Sequence, residues 1–209
     1  MKVILVNGSP HEKGSTYTAL CEISGALEKN GIETEIFWLG TNAISGCLGC
    51  GACIKTKTYR CVIDDKVNEF LDVAKDADGF VFGSPVHYAA ASGAMTAFMD
   101  RVFYGKANIF GGKPAAAVAC CRRGGASAAL DQMNKYFPIS GMPTVPSQYW
   151  NMIHGNNSPE DVMQDGEGLQ TMRTLGNNMA WLLKCIEAGK NAGIPYPERE
   201  KGIRTNFIR

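Results

Sequence analysis

Short apolar runs alternate with amphipathic stretches along the whole chain. Residues 2–7 (KVILVN) are almost continuously apolar, which is typical of a strand buried on both faces. After Ser15 and Thr16, which are candidate helix caps, apolar side chains recur at helical spacing until Asn30. The same patterns predict further strands at 32–39, 79–83, 114–121 and 143–150, and further helices from 64, over 92–103 and 125–137, and along Leu169 to Ile186.

The alternation of strands and helices predicts the fold class. It favours right-handed crossovers and a parallel sheet that helices cover on both faces, so five such strands predict an α/β sandwich of three layers. The pattern contains no internal repeat and no linker, and we expect residues 1–209 to form a single domain. That domain includes a cysteine-rich loop at 44–63 and a C-terminal helix and tail at 160–209.

Composition narrows the class of protein. The 209 residues are 45% hydrophobic and 20% charged, which excludes a disordered, collagen-like or coiled-coil chain. The 21 basic and 20 acidic residues leave a net charge of +1, and no basic run marks a nucleic-acid or membrane surface. No signal peptide or membrane span is recognisable, so we expect a cytoplasmic protein whose eight cysteines stay reduced.

The loop after the first strand is a candidate phosphate site, because ligands of open parallel sheets bind outside the carboxyl ends of the strands. Residues 8–16 (GSPHEKGST) lead into a helix, so their amides and the hydroxyls of Ser9, Ser15 and Thr16 can surround a phosphate. The loop is not a P-loop, because its glycine spacing is too long and its lysine precedes the second glycine. A polar turn that only caps the helix is the alternative.

The loops after the third and fourth strands add compatible chemistry. In residues 84–93 (SPVHYAAASG), a rigid proline, Tyr88 and several small residues form a shelf suited to a planar heteroaromatic ring. We expect His87 to pack or to form hydrogen bonds there, not to catalyse. Arg122 and Arg123 precede two glycines at a helix start and could offset negative charge, or they are simply solvated.

These segments together resemble the NAD(P)H-dependent FMN reductase family, and within it the branch related to iron–sulfur flavoproteins. The resemblance rests on Asn7-Gly8-Ser9-Pro10 with Gly14-Ser15-Thr16, on Ser84-Pro85-Val86-His87-Tyr88 with Ser92-Gly93 and Asp100-Arg101, on Arg122-Arg123-Gly124-Gly125, and on Cys47-x-x-Cys50-x-x-Cys53 leading to Cys61 and Asp64-Asp65. It implies a flavodoxin-like fold with the strand order 2-1-3-4-5, FMN as cofactor and NAD(P)H as electron donor.

The resemblance also implies where the cofactor binds. The first loop would hold the FMN phosphate, and the third- and fourth-strand loops would enclose the isoalloxazine ring. The cofactor-binding residues expected in this way are Ser9, His11, Gly14, Ser15, Thr16, Ser84, Pro85, Val86, His87, Tyr88, Arg122, Arg123, Gly124 and Gly125. Trp150 and Asn151 would also border the ring. No catalytic side chain is expected, because the flavin carries the chemistry.

Four cysteines form a motif of their own. Cys47, Cys50 and Cys53 lie on one glycine-rich turn and Cys61 follows on a longer arm, which is a spacing that a 4Fe–4S cluster can use. The motif resembles that of iron–sulfur flavoproteins. A zinc site is chemically compatible, although structural zinc usually takes its ligands from two separated pairs. A thiol loop that binds no metal is the third alternative.

The function that these features favour is that of an FMN-dependent oxidoreductase. It would take a hydride from NAD(P)H and pass electrons to a quinone, a nitro or azo compound, a metal ion or an iron–sulfur acceptor. The alternative is a flavodoxin- or ferredoxin-like electron carrier without a small-molecule substrate, although the net charge of +1 is unlike the acidic surface typical of such carriers. The expected partners are a small-molecule donor and acceptor, and further copies of this chain in a homodimer or homotetramer.

Overall fold

Strands and helices alternate along the chain in the computed structural model, which describes residues 1–56, 58, 60–105, 107–156, 158–198, 200, 203, 205 and 207. The strands are β1 (Lys2–Asn7), β2 (Glu33–Trp38), β3 (Gly79–His87), β4 (Ala90–Ala91), β5 (Ala115–Cys121) and β6 (Met152–His154). The helices are α1 (Ser15–Lys29), α2 (Ala52–Lys55), α3 (Lys66–Ala74), α4 (Gly93–Tyr104), α5 (Ala107–Phe110), α6 (Ala126–Asn134), α7 (Tyr136–Ile139), α8 (Pro159–Met163) and α9 (Gly166–Asn191).

The strands form a parallel sheet in the order β2-β1-β3-β5-β6. This is the predicted order 2-1-3-4-5, except that the short β4 adds a sixth strand and shifts the numbering. β4 pairs with β3 in antiparallel fashion, with His87 opposite Ala90. β2 is added on one side of β1, and β3 and the later strands are added on the other side. The order of the strands therefore reverses between β1 and β3, and ligands of such folds bind at this point.

The last strand is not where the sequence predicts it. The pattern predicts a strand at 143–150, whereas β6 is Met152–His154. Within 143–150, all of which the structure describes, Thr144 alone makes an isolated bridge to β5. Pro143 and Pro146 flank that bridge, and because proline has no N–H to donate they prevent a longer ladder.

Alternate residues of β1 face two hydrophobic layers, one on each side of the sheet. Ile4 and Val6 belong to the layer under α3, α4 and α6, while Val3 and Leu5 belong to the layer under α1 and α9. This is the pattern of a strand that is buried on both faces. The helices on both sides complete the three layers that the alternation of elements predicts.

The starts of α1 and α3 differ in how they are capped. Ser15 and Thr16 are not the caps that the sequence predicts for α1: Gly14 occupies the N-cap without a side-chain hydrogen bond, and Ser15 is the first helical residue. The side chain of Asp65 caps α3 by accepting a hydrogen bond of 3.0 Å from the N–H of Val67. In the part of the chain that the structure describes, no helix combines the length and the apolar character needed to cross a membrane.

Candidate functional site

A cavity of about 250 Å³ opens at the carboxyl edge of the sheet. The loops after β1, β5 and β6 contribute to it, together with the last residues of β3. Its lining residues are Ser9, Pro10, His11, Ser15, Thr16, Pro85, Val86, His87, Cys120, Cys121, Arg122, Gly155 and Asn156. The cavity therefore lies where the topology of the sheet predicts a ligand.

The loop after β1 is braced by the side chain of Asn7. Its amide donates to the carbonyl of Glu12 (3.0 Å), and its Oδ1 accepts from the N–H of Ser9 (3.0 Å). The hydroxyl of Ser9 in turn accepts from the N–H of His11 (3.1 Å). These bonds fold the loop back on itself and hold it at the start of α1, where helix N–H groups and the helix dipole favour an anion.

The cavity wall at the start of α1 carries buried hydroxyls. Ser9, Ser15 and Thr16 are each less than 9% exposed, although all three line the cavity. The Ser15 hydroxyl lies 3.5 Å from the carbonyl oxygen of Asn156 and 3.4 Å from that of Ser158, in the loop after β6. This wall offers hydroxyls and amides in one place, which is the donor set that a phosphate needs.

The loop after β3 forms a hairpin that is tied to the first loop. The hydroxyl of Ser92 donates to the carbonyl of Gly8 (3.0 Å), and the N–H of Ser92 donates to the hydroxyl of Ser84 (2.9 Å). Ser84 therefore positions the hairpin and does not line the cavity. At the turn, Tyr88 and Ala89 both adopt positive φ angles, 52° and 59°, and the Tyr88 side chain is fully exposed.

The loop after β5 packs against that hairpin. Gly125 has a φ of 89°, and a Cβ atom placed there would lie 2.7 Å from the Cα of Ala89 and 3.1 Å from the Cγ1 of Val86. Only glycine permits this approach together with this backbone conformation. The contact sets the distance between the two loops, with Arg122 on the cavity side.

The expected cofactor-binding residues divide into two groups. Those that line the cavity are Ser9, His11, Ser15, Thr16, Pro85, Val86, His87 and Arg122. Those that lie outside its lining are Gly14, Ser84, Tyr88, Arg123, Gly124 and Gly125. Trp150 and Asn151, expected at the ring, precede β6 and are also outside the lining.

The structure adds lining residues that the sequence interpretation missed. Cys120 and Cys121 end β5 at the carboxyl edge, and their place at a strand end was the available signal. Gly155 and Asn156 follow β6, and the sequence does not indicate them because its pattern predicts the last strand at 143–150. A Cβ atom at Gly155 would lie 2.6 Å from the Cγ2 of Val162, so glycine lets this loop approach α8.

Burial keeps the thiol of Cys120, one of the two cysteines that line the cavity, in its protonated form. Desolvation raises the pKa of Cys120 from 9.0 to about 12, although a hydrogen bond with Ser15 acts in the opposite direction. The thiol is therefore neutral at physiological pH. Because the thiolate is the reactive form, Cys120 serves as a small packing residue and not as a nucleophile.

The four cysteines of the loop at 44–63 surround a second cavity, of about 20 Å³. Its lining residues are Cys47, Leu48, Cys50, Gly51, Cys53, Cys61, Val62, Ile63, Arg101 and Tyr104. Left-handed φ angles of 63° at Gly49 and 66° at Gly51 turn the backbone around the thiols. Among the described residues, no three His, Cys, Asp or Glu side chains are arranged to hold one metal ion. In type and number, the four thiols match the ligand set of a 4Fe–4S cluster, which spreads its ligands over several irons.

A larger groove of about 620 Å³ lies away from the strand ends. It is lined mainly by apolar side chains of α4, α6 and α7, among them Phe103, Tyr104 and Tyr136. The Tyr136 hydroxyl donates to the carboxylate of Asp100, and burial with this bond raises the pKa of Tyr136. None of the loops at the carboxyl edge reaches this groove, so the smaller cavity remains the candidate site.

Comparisons with known proteins agree with this geometry. Residues 1–157 match the family described as NADPH-dependent FMN reductase. An iron–sulfur flavoprotein of Methanocaldococcus jannaschii is 34% identical over 196 residues, which are 90% of this chain and 100% of that protein.

Solved structures of low sequence identity share the fold. An NAD(P)H:quinone oxidoreductase from Methanothermobacter marburgensis superposes with a TM-score of 0.64 at 17% identity, over 86% of this chain and 96% of that chain. A flavodoxin from the domain Archaea gives 0.59 at 19% identity, over 88% and 99% of the respective chains. These two confirm the flavodoxin-like fold, and the two sequence matches show the family. The chain belongs to the NADPH-dependent FMN reductase family of oxidoreductases, in the branch of the iron–sulfur flavoproteins.

Proposed function

We propose that this protein binds FMN at the carboxyl edge of its sheet, oxidises NAD(P)H and passes the electrons to a second acceptor. The observation that carries the proposal is that the loops after β1 and β5 and the carboxyl end of β3 line one cavity. The lining combines buried hydroxyls at a helix start with the shelf of Pro85, Val86 and His87. A phosphate and a planar ring need walls of these two kinds.

The phosphate of FMN would be held by Ser9, Ser15 and Thr16 together with the first N–H groups of α1. The hydroxyls of Ser9 and Ser15 already form hydrogen bonds within the loops and all three side chains are buried, so binding costs little conformational entropy. Arg122 lines the same cavity and adds a positive charge. It would offset the charge of the phosphate or of a reduced ring.

The ring would lie along Pro85 and Val86, with Tyr88 beside it at the tip of the hairpin. Bound FMN supplies hydride and electron transfer, which no amino-acid side chain can supply. The chain contributes by holding the ring against a rigid shelf and by keeping water from its inner side. No protein group needs to remove a proton, and His87 stands exposed at the rim.

We propose the cysteine loop as the site of a second redox group, a 4Fe–4S cluster. Cys47, Cys50, Cys53 and Cys61 would be its ligands, because all four line one cavity. A relative that is an iron–sulfur flavoprotein, matched over 90% of this chain, agrees with that assignment. The electron acceptor would then be this cluster or a small molecule such as a quinone, a nitro or azo compound, or a metal ion.

The test is an anaerobic titration of FMN-loaded protein with NADPH and with NADH. We expect the flavin absorbance to bleach with at least one of them, and steady oxidation to follow when a quinone is added. A protein that takes up FMN but is not reduced by either nucleotide contradicts the proposal. Reduction without turnover on quinones, nitro or azo compounds or ferric ion would instead favour an electron carrier.

We also propose that the protein forms a homodimer or a homotetramer. Large apolar side chains are exposed on its surface, among them Tyr88 beside the cavity, Ile139 and Trp181. A subunit that packed on one of these faces would remove its exposed apolar side chain from water. Light scattering of the FMN-loaded protein measures its mass directly, and a monomer at micromolar concentration would contradict this proposal.

A further inference from the structure

The side chain of Arg101, on the last turn of α4, is 1% exposed. It is buried between Ser45 and Ile63 at the two ends of the cysteine loop, and we call this point the neck of the loop. All five N–H donors of Arg101 are used. Nε donates to the Sγ of Cys61 (3.3 Å), and Nη1 donates to the carbonyl of Ser45 (3.3 Å) and to Oδ2 of Asp65 (2.6 Å). Nη2 donates to the carbonyl of Ile63 (2.9 Å) and to Oδ1 of Asp65 (2.9 Å).

These contacts connect the two ends of the cysteine loop. Ser45 precedes the first cysteine of the motif by two residues, and Ile63 follows the last cysteine by two residues. One guanidinium group therefore joins the backbone where the chain enters the loop to the backbone where it leaves. The loop is closed at its neck by a single side chain that belongs to a different element.

Asp65 and Asn68 fix the direction of these bonds. Asp65 caps α3 and receives the guanidinium with both carboxylate oxygens, so the plane of Arg101 cannot rotate away from Cys61. Asn68 accepts a hydrogen bond from the N–H of Cys61 (2.8 Å) and donates one to its carbonyl (3.0 Å). The backbone and the sulfur of the fourth cysteine are thus held independently of the other three.

We infer that Arg101 is the positioning residue of the cysteine loop, which holds Cys61 towards the other three thiols before a cluster enters and raises the reduction potential of that cluster through its bond to sulfur. The inference rests on the cluster assigned under the proposed function. A closed neck lowers the entropy lost when the long arm is ordered by binding. Hydrogen bonds and positive charge at a ligand sulfur favour the reduced, more negative cluster.

An arginine is required for this arrangement. Lysine has a comparable charge, but its ammonium group carries three donors on one atom, whereas Arg101 reaches five acceptor contacts in one plane. Replacement by lysine would keep the charge beside the cluster and lose the bridge between Ser45 and Ile63. Replacement by glutamine would lose both.

The test compares R101K and R101Q with R60Q, each loaded with FMN and reconstituted anaerobically with iron and sulfide. Arg60 directly precedes Cys61 but is exposed and pairs with Asp72 and the exposed Asp64, so R60Q removes the same charge nearby and leaves the contacts of Arg101 intact. The measurements are FMN per chain, iron released to a chelator, the midpoint potential of the cluster, and hydrogen exchange of residues 45–65 in the iron-free, FMN-loaded protein.

We expect every variant to bind FMN as the wild type does. R101Q should release iron faster, on the order of 10- to 100-fold, which is the range by which outer-sphere substitutions weaken metal binding. Its residual cluster should have a lower potential, and its iron-free loop should exchange faster. In R101K, hydrogen exchange of the loop should be as fast as in R101Q, but the midpoint potential of the cluster should fall less. R60Q should match the wild type in all measurements.

Other outcomes overturn the inference in distinguishable ways. Wild-type kinetics, potential and exchange in R101Q refute it directly, and loss of FMN binding in both R101K and R101Q would show that Arg101 supports the whole fold and not the loop. If the wild type takes up FMN but no iron or sulfide, the cluster and the effect on its potential are wrong. Hydrogen exchange in R101Q then decides alone whether Arg101 closes the loop.

Discussion

Gly125 is the residue at which two loops of the cavity come closest together. Its φ of 89° and the 2.7 Å that would separate an added Cβ atom from the Cα of Ala89 leave no room for a side chain. We expect Gly125→Ala to lower the free energy of unfolding by about 1–3 kcal/mol, because the strain falls on backbone and not on a flexible side chain. FMN binding should weaken as the hairpin shifts.

Gly124 provides the matched control for that substitution. A Cβ atom there would meet nothing within 4 Å, and its φ is not positive. Gly124→Ala should therefore leave chemical denaturation and FMN titration close to the wild type. Equal effects of the two substitutions would show that the close contact with Ala89 does not determine the spacing of the loops.

Because of Cys120, we expect the free energy of unfolding to fall as the pH rises above 9. Burial raises its pKa from 9.0 to about 12, so the unfolded chain loses the thiol proton first as the pH rises. The contribution of this thiol to the free energy of unfolding is complete below pH 9 and is lost towards pH 12. Between these values it falls by about 1.4 kcal/mol per pH unit.

Urea denaturation at several pH values measures this slope. Cys120→Ala should lose stability less steeply than the wild type above pH 9, whatever the offset caused by the smaller side chain. Cys185→Ala, at an exposed position, should keep the wild-type slope. Parallel curves for the wild type and Cys120→Ala would contradict the buried, neutral thiol.

At the scale of elements, Asp165 joins the end of the sheet to the longest helix. Its Oδ1 accepts from the N–H of Gly168 (2.9 Å) at the start of α9, and its Oδ2 accepts from the N–H of His154 (2.7 Å) at the end of β6. We expect Asp165→Ala to cost about 1–2 kcal/mol of unfolding free energy, because it leaves the first turn of α9 without its cap.

Asn is also a good capping residue, so Asp165→Asn should lose less than Asp165→Ala. Glu167→Ala, in the same exposed first turn but without the capping contact, serves as the control. Thermal denaturation ranks the three variants by stability. If Asp165→Ala and Glu167→Ala are equally stable, the carboxylate of Asp165 does not cap α9.

Elements with a strong hydrophobic pattern were predictable from the sequence, and weakly patterned ones were not. β1 has the predicted limits because its apolar run is flanked by polar residues at both ends. β6 is a strand of three residues at the edge of the sheet and pairs with β5. Its composition does not distinguish it from the loop before it. Its position follows from tertiary pairing and from the prolines that end the earlier bridge.

At the scale of the whole molecule, the sequence predicts which loops meet but not which side chains face the cavity. Parallel strands bring their carboxyl ends to one edge, so the loops after β1, β3 and β5 had to be neighbours. The hydroxyl of Ser84 instead binds the N–H of Ser92, and Gly125 packs against Ala89. The spacing of residues along the chain does not predict these directions. Arg101 reaches Cys61 across 40 residues of sequence, a contact that only the packed structure reveals.

The central claim is that the cavity holds FMN by its phosphate, and calorimetric titration with FMN and with riboflavin tests it most directly. We expect FMN to bind on the order of 100-fold tighter, since several charge-assisted hydrogen bonds are lost with the phosphate. Thr16→Val should narrow this difference, whereas Thr18→Val, whose hydroxyl donates to the carbonyl of Gly14 outside the cavity lining, should not. Equal affinities for FMN and riboflavin, or no binding of either, would contradict the account.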